Sequence, residues 1–175
     1  MIRIETITEE NSRDLNLPNE PFEMPGKFIP KLEDGVWSYC METFAEPQTM
    51  AFPEENYDFD AICSKGVAFG AYEGEKCIGV AIYEDDWLKY MYLSDIKVSP
   101  EARGKGVGKA LIRAGLEAAK ERGYKGLYTI AQDNNLNACT FYLRVGFDIG
   151  GFDNRVYGGT AQAHKADILF YLDAE

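Results

Sequence analysis

The run Arg103-Gly104-Lys105-Gly106-Val107-Gly108-Lys109 sets three glycines at alternate positions among three cations. Glycine is costly inside a helix or strand, so this spacing points to backbone amides left accessible. Amides that open a helix, with the positive end of its dipole behind them, bind phosphate. The three cations supply positive charge in a chain whose formal net charge is -11. The chemistry implied is binding of a phosphate-bearing group, and a pyrophosphate suits it. A glycine-rich turn without a ligand would use the same residues. A P-loop is excluded: with Gly108-Lys109 as its Gly-Lys pair, the first glycine falls on Arg103 and the hydroxyl on Ala110. The dinucleotide fingerprint fails at its second gap. Arg-x-x-Gly-x-Gly is satisfied by Arg103, Gly106 and Gly108.

A strand must feed that loop and a helix must leave it. Ile2–Ile7 alternates as a half-buried or edge strand does. Pro18, Pro21, Pro25, Pro30, Pro47 and Pro53 punctuate the next sixty residues, so an irregular region with short helices is expected there. Val67–Tyr72 and Cys77–Glu84 read as strands around a turn at Glu73–Lys76, and Tyr90–Val98 as a third strand. From about Gly106 to Arg122 the apolar period becomes helical, with Gly123 as its stop. A strand at Gly126–Ala131, a helix from Asn135 to Val145, and strands at Phe147–Phe152 and Ala166–Leu172 follow. The order predicts one α/β domain over residues 1–175, with a mixed, mostly antiparallel sheet flanked by helices.

The acidity is unevenly spread. Residues 1–60 hold fourteen acids against four basic residues, and residues 61–175 hold fifteen against fourteen. Such a surface disfavours nucleic acid and anionic membranes and suits a cationic small molecule; plain solubility would also account for it. No run of about 18 apolar residues occurs, and the start lacks a signal peptide's apolar core, so a cytoplasmic protein is expected. Cys40, Cys63, Cys77 and Cys139 form no CxxC pair and His164 is the only histidine. Neither a zinc site nor a Ser-His-Asp arrangement is expected, and no metal is invoked.

About thirty residues beyond the loop stands Asn135-Leu-Asn-Ala-Cys-Thr-Phe-Tyr-Leu-Arg-Val-Gly-Phe147. With the loop and the strand order, this motif resembles the GNAT family of acetyl-CoA-dependent N-acetyltransferases over residues 67–152. The resemblance implies a GNAT fold with a glycine-loop-to-helix acetyl-CoA site. It matches Ile96, Lys97 and Val98 to the strand that pairs with the pantetheine arm, and Arg103 to Lys109 to the pyrophosphate loop. Asn135 matches a polar residue near the CoA arm, and Tyr142 the tyrosine beside the thioester sulfur. It also implies direct transfer in a ternary complex, without Cys139 as a nucleophile.

Acetyl transfer to an amine needs the neutral amine, which is about 1 in 2,500 molecules of a lysine-like group at pH 7. A carboxylate can take the proton directly or through water; Asp95, just upstream of Ile96, is the candidate base, with Glu84, Asp85 and Asp86 at the end of the preceding strand as alternatives and a solvated turn or strand edge as their plainer reading. A free amide near Ile96–Val98 would serve the oxyanion, and Tyr142 would protonate the leaving thiolate. Glu84, Asp86, Trp87 and Tyr90 are candidate acceptor-site residues, with packing or a solvated turn as the plainer alternatives. Within the family, Pro18–Pro30, Asp34–Tyr39 and Ala131–Tyr142 resemble the streptothricin acetyltransferases, a likeness reaching from about Pro18 to Tyr171. It implies acetylation of the β-lysine amine of a cationic antibiotic, hence resistance. The oligomeric state is left open between monomer and homodimer. Ser94, Ile130 and Glu84 depart from the pattern of that group. They leave open a polyamine, another small amine, a protein lysine, or a non-catalytic CoA-binding module.

Overall fold

The computed structural model describes residues 2–174. Its regular elements are β1 (Ile2–Thr6), β2 (Phe22–Glu33), β3 (Val36–Met50), α1 (Phe59–Lys65), β4 (Gly66–Glu73), β5 (Lys76–Glu84), β6 (Met91–Val98), α2 (Val107–Glu121), β7 (Gly126–Gln132), α3 (Leu136–Val145), β8 (Asp148–Asp153) and β9 (Asp167–Asp173). Short 3-10 stretches occupy Glu9–Asn16 and Pro100–Ala102. This is the expected α/β class, with mostly antiparallel strands flanked by helices. The chain forms two compact units, one of residues 2–20, Ala51–Leu127 and 173–174, the other of Pro21–Met50 and Tyr128–Leu172. The acidic first sixty residues are therefore divided between the units.

In the first unit the strands run β1-β4-β5-β6. Gly74, at φ +62°, makes the tight turn between β4 and β5 that the sequence predicts. One face of this meander carries Ala68, Val80 and Ile82, which pack with Ile7, Leu15 and Ile62 and with the half-buried Leu17, Tyr57 and Phe59. The other face receives α2, whose Val107, Leu111, Ile112, Gly115, Ala118 and Ala119 are buried. Tyr83 belongs to that face, and its hydroxyl donates to the Leu111 carbonyl at 2.9 Å. α2 begins at Gly106 in the left-handed region (φ +83°) and gives way to Gly123 at φ +82°.

In the second unit the strands run β7-β9-β8, and β2 pairs with β3 in a separate two-stranded ribbon. This ribbon replaces the irregular, short-helix region expected from the prolines. Asp34 (φ 50°) and Gly35 (φ 78°) form a two-residue hairpin turn with both central residues left-handed. That geometry matches the twist of the flanking strands. The prolines are tolerated for definable reasons. Pro25 falls where the register breaks between Met24 and Gly26, and Pro47 lies in the stretch of β3 opposite that break. Pro30 pairs with Tyr39 in a ribbon where every strand has a free edge, so a proline facing that edge removes no ladder bond. Met24, Gly26 and Phe28 alternate as buried residues along β2. Phe28 stacks on Tyr39 at 4.5 Å between ring centroids and meets Phe170 edge-on at 6.3 Å.

Candidate active site

The first unit owes its site to a bulge in β6. Ile82 pairs with Asp95 but Tyr83 pairs with Leu93, so Ser94 is an extra residue with no partner of its own. Side chains alternate along a strand, and one inserted residue moves all that follow to the opposite face. Unbroken alternation would have put Asp95 and Lys97 with Met91 and Leu93. The bulge instead sets Asp95 beside Ile82 and Lys97 beside Val80, on the face covered by the N-terminal segment. The Ser94 hydroxyl donates to the Ile82 carbonyl at 3.3 Å and ties the bulge to β5.

Four side chains meet there. Lys97 Nζ lies 2.6 Å from Glu55 Oε2 and 3.4 Å from Asp95 Oδ2, and donates to the Leu17 carbonyl at 3.3 Å. It also stands 5.6 Å above the Tyr57 ring. The Tyr57 hydroxyl donates to Asp95 Oδ2 at 3.1 Å. The Lys97 side chain is only 9% exposed and that of Asp95 17%. Burial pushes the Asp95 carboxyl above the usual carboxylate range. Lys97 and the Tyr57 hydrogen bond pull it back in part, and the Glu55 charge pushes it up again. Burial also pushes Glu55 up, but hydrogen bonds from Lys97, its own backbone and Asn19 outweigh it and leave that carboxyl low. The Tyr57 phenol is held well above its ordinary range, first by burial and then by Asp95 and Glu55, with Glu84 adding to this. Glu55 and Tyr57 have no motif of their own in the sequence. Only their place in the acidic, proline-flanked segment hinted at them.

The glycine loop lies in the same unit. Gly104 and Gly106 have φ of +75° and +83°, and a Cβ at either would project into open space. Arg103, Gly104, Lys105, Gly106 and Lys109 are exposed, Gly108 is half-buried and Val107 anchors the helix start in the core. The N-terminus of α2 has no side-chain cap and no acid in its first turn. Its first amides and dipole are thus left for an anion, and the cradle fits the diphosphate of acetyl-CoA. Ile96 and Val98 pair with Ala81 and Gly79, on the α2 face of the sheet.

The turn after β5 is tied elsewhere. Asp85 bonds Arg122 Nε at 2.9 Å and accepts from the Tyr124 hydroxyl at 3.1 Å. Arg122 holds its carboxyl below the usual range. Asp86 accepts from the Trp87 amide at 2.6 Å, Trp87 is 88% exposed, and the Tyr90 hydroxyl donates to Asp173 at 2.6 Å. Among the proposed acceptor residues, the charge of Glu84 reaches the Tyr57 cluster.

In the second unit, Asn135 caps α3, its side-chain oxygen accepting from the Ala138 amide at 3.1 Å. Tyr142 is buried among Phe141, Phe147 and Phe170, with ring centroids 5.4, 5.4 and 5.5 Å away. Burial pushes the Cys139 thiol up to about 12, which keeps it protonated and a poor nucleophile. Among the described residues no group of three or more metal-ligating side chains gathers, and no helix is long and apolar enough to cross a membrane.

Comparison with known proteins agrees with this geometry. The sequence profile of the acetyltransferase (GNAT) family matches residues 35–147. Streptothricin acetyltransferase A of Bacillus subtilis (strain 168) is 37% identical over 166 residues, 94% of this chain and 96% of that protein. A crystal structure from Bacillus anthracis str. Ames, named provisionally as a streptothricin acetyltransferase and holding acetyl coenzyme A, superposes with a TM-score of 0.87. It has 27% identity and covers 100% of this chain and 99% of that one. A nourseothricin acetyltransferase structure, 24% identical with 99% of each chain covered, shares the fold with a TM-score of 0.80. The uncapped glycine cradle at the start of α2, the bulged β6 and these likenesses lead to one conclusion: the chain belongs to the GNAT family and is an acetyl-CoA-dependent N-acetyltransferase.

Proposed function

We propose that the protein acetylates an amine of a cationic small molecule, and that this is the β-lysine amine of a streptothricin-type antibiotic. The observation that carries the reading is likeness to the Bacillus subtilis streptothricin acetyltransferase along nearly the whole of both chains. The net charge of -11 supports it, because the acidic surface draws a polycation. Antibiotic resistance in the cytoplasm, where acetyl-CoA is made, is the corresponding role.

Bound acetyl-CoA supplies an activated acetyl thioester. Arg103, Gly104, Lys105, Gly106, Val107, Gly108 and Lys109 would hold its diphosphate through charge and free amides. The backbone of Ile96–Val98 would hold its arm, and Asn135 would lie near that arm. Asp95 receives the proton of the incoming ammonium. Burial raises its carboxyl and makes it a stronger base than an exposed aspartate. Tyr142 gives its phenolic proton to the departing sulfur. Glu84, Asp86, Trp87 and Tyr90 would shape the acceptor approach.

The test is thiol release from acetyl-CoA with streptothricin, spermidine and a lysine peptide as separate acceptors. Saturable release with streptothricin, and growth protection in cells expressing the protein, are expected. Release only with spermidine or the peptide would overturn the acceptor and keep the family reaction. Asp95→Asn should lower kcat by about 100-fold or more while acetyl-CoA binding persists.

A further inference from the structure

The cluster around Asp95 is more than a buried ion pair. Residues 16–19 and 54–57 are laced together before either reaches β6. Asn16 accepts from the Tyr57 amide at 2.7 Å and donates to the Tyr57 carbonyl at 3.2 Å. Asn19 donates to Glu55 Oε2 at 2.8 Å, the oxygen that also takes Lys97. Tyr57 and Glu55 are thus fixed on their own backbone and presented to Asp95 and Lys97. Both polar contacts of Asp95 with the described residues, from Tyr57 and from Lys97, fall on Oδ2.

We propose that Tyr57 and Glu55 are positioning residues for acetyl transfer. Tyr57 pins the Asp95 carboxylate by Oδ2, Glu55 occupies Lys97, and Asp95 Oδ1 is left to accept the proton of the acceptor ammonium. The inference rests on Asp95 as the base and adds the device that orients and tunes it. A free aspartate would rotate between its two oxygens; a carboxylate held at one presents the other in one direction. Lys97 facing Asp95 alone would bind that carboxylate and weaken it as a base. With Glu55 at 2.6 Å against 3.4 Å for Asp95, the lysine's charge is spent mainly on Glu55. The phenol stays a donor throughout the working range, since burial and the two carboxylates keep its proton on. The charged and titratable groups facing Asp95 are Lys97, Glu55 and Tyr57, and Glu84 faces Tyr57.

Opposite signs follow for two variants. Tyr57→Phe removes a bond that favours the carboxylate, so the acid limb of the kcat/KM profile moves to higher pH. Glu55→Gln removes a negative charge and releases Lys97 towards Asp95, so that limb moves to lower pH. A shift of about half a unit or more each way is expected. A fall of about tenfold in kcat/KM should accompany Tyr57→Phe. The experiment measures pH profiles of wild type, Tyr57→Phe, Glu55→Gln and Asp95→Asn with streptothricin at saturating acetyl-CoA. Titration of the Asp95 carboxyl carbon by NMR in the first three needs no turnover and reads the same shifts. Shifts of opposite sign in both readouts uphold the proposal. An Asp95 titration that neither variant moves, or that both move the same way, overturns it and leaves Asp95 as base. An acid limb that persists in Asp95→Asn removes Asp95 as the base, and the proposal with it.

Discussion

Gly115 of α2 lies against the ring of Tyr83 on β5: a Cβ at residue 115 would stand 2.1 Å from Tyr83 Cζ. The contact sets how close α2 sits to the sheet, since the same tyrosine donates to the Leu111 carbonyl at 2.9 Å. Two effects oppose one another in Gly115→Ala. Alanine favours the helix by about 1 kcal/mol. Overpacking a full core costs about 1–3 kcal/mol, and here the neighbour is a fully buried ring that is hydrogen-bonded in place. A clash this short puts the cost at its upper end, and a net loss of about 2 kcal/mol is expected from urea unfolding. Gly115→Ala as stable as wild type would show that α2 rides free of Tyr83.

Asp95→Asn should separate activity from stability. In the folded chain the Asp95 carboxyl is raised above its unfolded value by burial. The folded state therefore holds that proton more tightly, and stability is lost as pH climbs from about 3.9 through the raised value. Asparagine removes this loss. Thermal unfolding at pH 7 should show the variant more stable than wild type, with the difference vanishing near pH 3. The pH above which the difference stops growing reports the folded-state titration.

Asp85 offers the contrast. It is 41% exposed and paired with Arg122 and Tyr124, away from the cluster on β6. Exposed pairs contribute about 0–1 kcal/mol. Asp85→Asn should leave kcat/KM within about twofold and cost less than about 1 kcal/mol. Its lowered carboxyl puts the small stabilisation above the unfolded value, lost as pH falls through the folded one. A large drop in rate would instead give the Asp85 carboxylate itself a part in the reaction.

Gly106→Ala tests the cradle. At φ +83° a Cβ meets no protein atom, so the stability cost is conformational and about 1–2 kcal/mol. The same Cβ would enter the space where an anion approaches the amides of α2. Calorimetric titration should show acetyl-CoA binding weakened by about tenfold or more, beyond the effect on folding. Equal binding in variant and wild type would place the diphosphate elsewhere.

Much of this protein is local, and local patterns carried it. The Arg103–Lys109 loop, the helix it opens and the Asn135–Phe147 motif are runs whose physics depends on near neighbours, so their conformations could be read along the chain. The Asp34-Gly35 turn was equally local and could have announced the β2–β3 ribbon. Prolines that suggest irregular chain concealed it, because their cost depends on which edge each proline faces. The cluster at Asp95 was not local in any sense. Its Tyr57 partner is 38 residues away and its Lys97–Glu55 pair spans 42. Which face Asp95 and Lys97 occupy was decided by one unpaired residue, Ser94. Composition and period assign residues to strands and helices, but the parity of a strand after a bulge depends on pairing with β5. That pairing exists only once the sheet has formed.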